Sequence, residues 1–278
     1  MPNITVGTYK NQNINLNYVD YGEGSPVVLI HGWPLSHLMW ENQFMALTGA
    51  GYRVVAYDRR GFGDSSKPWS GYDYDTFASD LNRLMEELDL RDAALVGFSM
   101  GGGEVARYLG TYGSERVSKA VLMAAITPFM LKTDDNASGV DQSVFDGMIK
   151  GLEKDRPGFL LDFCKSFVNW DKDGKDLISE AALNHSWDIA TWASSKASID
   201  CVRAFSATDF RADLAKLAVP TLVLHGDADG IVPFEVSGKI AHEQISGSEL
   251  LVIKGGSHGL TYTHPEQTNA ALLKFLAS

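Results

Sequence analysis

Six short apolar runs that fail to alternate constrain this chain more than any other feature. They read VVLIH (27–31), RVVAYD (53–58), AALVGF (93–98), KAVLMAA (119–125), TLVLHG (221–226) and ELLVIKG (249–255). A strand with one wet face alternates apolar and polar residues. Runs without alternation need cover on both faces, as in a parallel sheet layered between helices. Ahead of them ITVGTY and INLNYVDY do alternate, split by Asn11-Gln12-Asn13, which predicts an antiparallel hairpin. Helical text fills the gaps. In TFASDLNRLMEELDL the residues Phe77, Leu81, Leu84 and Leu88 fall on one face, with Asp75 placed to cap it. The chain ends in PEQTNAALLKFLA, a helix opened by Pro265. The expected class is α/β: a mostly parallel, doubly wound sheet with an antiparallel N-terminal hairpin.

The strand rhythm lapses between Thr127 and Asp209. Phe145, Phe159, Phe163, Phe167, Trp170, Trp187 and Trp192 stud helical text there, with no strand signal. A stretch of roughly 80 residues exceeds an ordinary crossover. The expectation is a core of residues 1–126 and 210–278, with 127–209 inserted as a helical cap or lid.

Composition narrows the partners. The 278 residues carry a formal net charge of −11 and no Lys- or Arg-rich tract, so phosphate backbones and anionic membranes would be repelled. Nucleic acid and membrane are therefore excluded as expected partners. Cys164 and Cys201 are the two cysteines, without metal-type spacing, and read as reduced buried thiols. The start, MPNITVGTYK, lacks a signal-peptide pattern, and no apolar run nears spanning length, so a cytoplasmic location is expected.

Within LVGFSMGGGEV (95–105), Gly97-Phe98-Ser99-Met100-Gly101 fits G-x-S-x-G between an apolar run and a helix-compatible run. That context predicts a nucleophile elbow, with Ser99 at positive φ where a strand turns at once into a helix. Side chains at Gly97 and Gly101 would collide across so sharp a turn. Met100 then offers a backbone N–H at the helix N-terminus, suited to an oxyanion.

A serine hydroxyl needs an imidazole to take its proton and a carboxylate to orient that imidazole. Function in an open parallel sheet collects at the carboxyl ends of strands. His31-Gly32-Trp33-Pro34, the elbow, His225-Gly226-Asp227-Ala228-Asp229 and Gly255-Gly256-Ser257-His258-Gly259 all follow predicted strands. His258, in a glycine-rich loop, is the expected base. His264 precedes the last helix, His225 sits at a strand end where a structural hydrogen bond suits it, and His185 and His242 fall in helical text. Asp227 and Asp229 both remain candidates for the acid. His225-x-Asp227-x-Asp229 lacks a second nearby histidine, so no metal site is expected. Gly61-Phe62-Gly63 begins like a dinucleotide fingerprint but continues to Ser66, and Arg59 and Arg60 read as a loop network with Asp58 and Asp64.

Taken together, HGWP at 31, YDRRGFGDS (57–65), GFSMGGGE (97–104), HGDADGIVPFE (225–235) and GGSHG (255–259) resemble the α/β-hydrolase family. More narrowly, they resemble its cofactor-free bacterial haloperoxidase, arylesterase and perhydrolase branch, from about residue 4 to the C-terminus. The resemblance implies that Asp229, not Asp227, is the triad acid with Ser99 and His258. It implies oxyanion donors at the backbone N–H groups of Trp33 and Met100, and allows a homo-oligomer. Pro34 fixes its own φ and constrains Trp33. In the resembling perhydrolases the carbonyl at the position of Trp33 can accept a hydrogen bond from hydrogen peroxide, favouring it over water, so Pro34 is expected either to partition the nucleophile or only to stiffen the loop.

The reading is a serine hydrolase of small or aromatic carboxylic esters working through an acyl-enzyme. A perhydrolase and haloperoxidase side activity is expected with a carboxylate, hydrogen peroxide and halide. No cofactor is required. A C–C bond hydrolase or lactamase could use the same triad, and a non-turnover ligand receptor could keep it. Epoxide hydrolases and haloalkane dehalogenases share an HGxP block but place aspartate where this chain has Ser99.

Overall fold

The computed structural model describes residues 2–278. Its strands are β1 Asn3–Tyr9, β2 Gln12–Tyr21, β3 Pro26–Ile30, β4 Arg53–Tyr57, β5 Ala93–Phe98, β6 Val117–Met123, β7 Thr221–Gly226 and β8 Glu249–Ile253. They form one sheet in the order β1-β2-β4-β3-β5-β6-β7-β8. β1 and β2 pair antiparallel, β2 meets β4 antiparallel, and every pairing from β4 through β3 to β8 is parallel. All six residues of β5 and all six of β7 are buried, which is why those runs never alternate.

The helices are α1 Glu41–Gly49, α2 Tyr74–Glu87, α3 Met100–Tyr112, α4 Gln142–Phe167, α5 Lys175–Leu177, α6 Glu180–Thr191, α7 Ser195–Ala207, α8 Arg211–Leu214, α9 Gly238–Gln244, α10 Leu260–Thr263 and α11 Pro265–Ala277. α2 buries Phe77, Leu81 and Leu84, as its spacing predicts, while Leu88 becomes its C-cap. Its N-cap, however, is Asp73, whose carboxylate accepts from Thr76 N at 2.9 Å. Asp75 lies inside the first turn and pairs with Arg107 instead. The hairpin turn also sits earlier than the sequence suggests: Lys10 and Asn11 take the positive φ values, and Gln12 already begins β2.

Between β6 and β7 the chain makes α4 to α8 and no named strand. α4 breaks at Asp155, two residues before Pro157, and Asp155 restarts the helix by accepting from Gly158 N at 3.1 Å. Several hydrogen bonds tie this layer to the loops at the sheet's carboxyl end, among them Ser194 N donating to Gly61 O at 2.8 Å. Trp33 Nε1 donates to Ser198 O at 3.0 Å, Asn169 Nδ2 to Ala228 O at 3.0 Å, and Gly259 N to Phe167 O at 2.8 Å. Cys164 and Cys201 are free thiols buried within it. Among the described residues no helix is long and apolar enough to cross a membrane.

Register positions the site. Ile30 pairs with Gly97, so the chain leaves β3 and β5 side by side, carrying Trp33 and Ser99. Phe98 pairs with Met123 and Gly226 with Ile253, which brings the Asp229 and His258 loops out at the same end.

Candidate active site

Ser99 has φ 53° and ψ −116°, between the end of β5 and the first residue of α3. The conformation is held from both sides: Ser99 N donates to Met123 O at 2.8 Å, and Gly102 N donates to Ser99 O at 2.9 Å. A Cβ on Gly97 would strike the Gly101 carbonyl, and one on Gly101 would strike the Ile30 carbonyl. The glycines are therefore a steric condition of the turn.

Ser99 Oγ lies 3.0 Å from His258 Nε2, and His258 Nδ1 lies 2.7 Å from Asp229 Oδ2. Asp229 Oδ1 accepts from Ile231 N at 2.9 Å and Val232 N at 2.8 Å. Burial works against this carboxylate, but the charge of His258 and hydrogen bonds from His225 and His258 hold its pKa well below the ordinary range. With Asp229 ionised and accepting from His258 Nδ1–H, the Nε2 lone pair is the atom that faces Ser99 Oγ. Phe98 and Phe167 flank the imidazole, each with its ring centre 5.0 Å away, and His258 is buried.

Trp33, Ser99 and Met100 line one cavity of about 200 Å³, walled by Met130, Phe145, Met148, Phe163 and Phe205. The backbone N–H groups of Trp33 and Met100 have no acceptor among the described residues. Two free donors in an apolar cavity beside a nucleophile can stabilise charge developing on a carbonyl oxygen. Pro34 is buried directly behind Trp33 and does not line the cavity. Asp227 is kept away from His258's partners: its Oδ1 accepts from Gly255 N at 2.6 Å, which closes the turn between β7 and β8.

Two contributors carry little sequence signal. His31 donates from Nδ1 to Gly32 O at 2.9 Å and accepts at Nε2 from Arg59 N at 2.9 Å. Burial, then the Arg59 charge, lowers its pKa to about 3, so a neutral ring clamps the loop that carries Trp33. Arg59 and Arg60 do not pair with Asp58 and Asp64. Arg59 Nε donates to Glu104 at 2.7 Å on α3, beneath the elbow, and Arg60 grips Asp80 on α2 through two bonds of 2.6 Å. Their partners lie 45 and 20 residues away, beyond the reach of local pattern.

A family profile described as alpha/beta hydrolase fold matches residues 25–265. The non-heme chloroperoxidase CPO-A1 of Kitasatospora aureofaciens is 44% identical, over 95% of this chain and 96% of its own. The bifunctional esterase/perhydrolase DCH of Acinetobacter calcoaceticus is 40% identical, over 95% of this chain and 97% of its own. The crystal structure of bromoperoxidase from Bacillus anthracis superposes with a TM-score of 0.96 at 50% identity, covering 100% of this chain and 99% of that one. With a fold, a sheet order and relatives that agree over nearly its whole length, the chain belongs to the alpha/beta hydrolase family and is an enzyme related to its non-heme chloroperoxidases.

Proposed function

We propose that this enzyme hydrolyses small, largely apolar or aromatic carboxylic esters through an acyl-enzyme on Ser99. The observation that carries the reading is the unbroken chain from Ser99 Oγ through His258 to Asp229, opening on an apolar cavity. His258 Nε2 takes the hydroxyl proton as Ser99 Oγ bonds to the ester carbon. The carbonyl oxygen gathers charge facing Trp33 N and Met100 N. His258 then gives its proton to the departing alkoxide, leaving an acyl-serine and a free alcohol. Water, deprotonated by the same imidazole, releases the carboxylic acid and restores Ser99.

Hydrogen peroxide in place of water would release a peroxy acid, with Ser99 again recovering its proton. The peroxy acid oxidises halide in solution and is reduced to the carboxylic acid. A relative named as a bifunctional esterase/perhydrolase and others named as non-heme haloperoxidases support this second route. The 127–209 layer serves as the lid in this reading, because Phe145, Phe163 and Phe205 from it face Ser99 across the cavity.

The test is turnover of a p-nitrophenyl ester series with and without fluorophosphonate. Sustained turnover, abolished by Ser99→Ala and by a single label on Ser99, is expected. One slow turnover followed by a stable acyl-enzyme would make the chain a ligand receptor. Labelling of another serine would remove Ser99 from the reaction.

A further inference from the structure

Where α4 ends, the segment from Phe167 to Asn169 touches both of the loops that carry Asp229 and His258. We propose that Asn169 is a positioning residue, which holds the peptide leading into Asp229 and so keeps its carboxylate at bonding distance from His258. The inference rests on the reading of Ser99, His258 and Asp229 as the reacting groups.

The local chain fixes Asn169 for this task. The last turn of a helix leaves carbonyl oxygens without a partner inside the helix. Here Ser166 O accepts from Asn169 N at 3.2 Å, and Phe167 O accepts from Gly259 N at 2.8 Å. Asn169 then turns left-handed, with φ 53° and ψ 41°, a conformation that asparagine tolerates better than most side chains. Its own carbonyl accepts from Lys172 N at 2.9 Å and Gly174 N at 3.0 Å, so the backbone is held on both sides. From that fixed backbone Asn169 Nδ2 donates to Ala228 O at 3.0 Å.

Two peptide planes are gripped in this way. Ala228 O and Asp229 N belong to one rigid plane. Among the described residues Asn169 is the one donor to Ala228 O, while Asp229 N reaches Gly226 O only at 3.4 Å. The hold from Asn169 is the tighter. Gly259 N belongs to the plane that leaves His258, and Phe167 O holds that one. The Phe167 ring also meets the His258 imidazole edge-on, and a Cβ on Gly259 would strike that phenyl ring at 2.8 Å. One segment thus spans base and acid, whose side chains meet at 2.7 Å. Removing Asn169 Nδ2 frees the acid side of the span and leaves the base side in place. Asn169 does not line the cavity beside Ser99, so its loss acts on the alignment of the reacting groups rather than on ester binding.

The experiment is the kinetics of Asn169→Gly on a p-nitrophenyl ester, alone and combined with Asp229→Asn. Glycine keeps the left-handed turn and removes the amide. kcat should fall about fivefold or more with KM within about twofold, and labelling of Ser99 by a fluorophosphonate should slow in parallel. A residue that acts through Asp229 has nothing left to position once that carboxylate is gone. In the Asp229→Asn background the same substitution should therefore cost less than about twofold. Asn169→Asp matches the amide in shape but offers Ala228 O no N–H, and should repeat the loss if Asn169→Gly fails to fold. Unchanged kcat in a folded variant, or a loss just as large in the Asp229→Asn background, would overturn the proposal. Parent turnover that survives Ser99→Ala would instead bring down the reading of Ser99, and the proposal with it.

Discussion

His225 Nε2 lies 3.2 Å from Asp229 Oδ2, the same oxygen that faces His258 Nδ1. The acid of the proposed triad is thus held by two imidazoles and two backbone N–H groups. His225 Nε2 also donates to Val232 O at 2.9 Å, while its Nδ1 is buried without a partner. His225→Leu is close to the imidazole in volume and removes the Nε2 bonds. A hydrogen bond to a charged group contributes about 1.5–3 kcal/mol, so kcat on a p-nitrophenyl ester should fall about tenfold with KM little changed. A merely structural His225 would leave kcat intact and lower Tm alone.

Asp229 and Asp227, both candidates by sequence, should separate in kinetics. Asp229→Asn leaves His258 without its orienting charge and should lower kcat by about 10³–10⁴-fold. Asp227→Ala removes the acceptor for Gly255 N and should lower Tm by about 2–4 °C with kcat preserved. Steady-state rates and melting curves of the two variants check the division; a reversed pattern would move the acid to Asp227.

Acid should reveal Asp229 as a stability determinant. Its pKa is depressed in the folded chain, so the folded state binds a proton less readily than the unfolded one. The stabilisation is complete above the unfolded value of about 3.9 and is withdrawn as pH falls toward the folded value. The Tm difference between the parent chain and Asp229→Asn should therefore be widest at neutral pH and narrow below about pH 4. A difference independent of pH would mean that the carboxylate is not depressed.

Pro34 should govern the choice between peroxide and water. It sets the backbone just behind Trp33, a wall of the cavity beside Ser99. If the Trp33 carbonyl accepts a hydrogen bond from peroxide worth about 1 kcal/mol, Pro34→Leu should lower the ratio of peroxy acid formation to ester hydrolysis about fivefold. Monochlorodimedone halogenation against p-nitrophenyl acetate hydrolysis measures that ratio. An unchanged ratio would leave Pro34 a stiffener of the loop.

Strands β3 to β7 were readable because burial on both faces removes alternation, and Ser99 because a strained turn demands glycines at fixed positions. β8, read the same way, is an edge strand that leaves Leu250 and Val252 exposed. His258 stood out among seven histidines by following a strand within a glycine-rich loop. What escaped depends on contacts between distant segments. Asp80 and Glu104 sit unremarked in helices until the fold sets them against Arg60 and Arg59. Asp73 and Asp75 are equally good caps by composition, and only geometry chooses Asp73. Asn169 meets Ala228 across 59 residues of chain, so no local pattern announces that contact either.

The two buried thiols bear on how the enzyme would wear in use. Burial pushes the Cys164 thiol up to about 12 and Cys201 higher still, and peroxide attacks the thiolate rather than the thiol. Both cysteines should therefore stay reduced even if the proposed peroxy acid is made at Ser99. Oxidative damage would fall instead on the thioethers of Met100, Met130 and Met148 in the wall of the cavity beside Ser99, where a sulfoxide would make an apolar surface polar. Service life under peroxide is then a property of three methionines, and substrate fit would erode before the reacting groups fail.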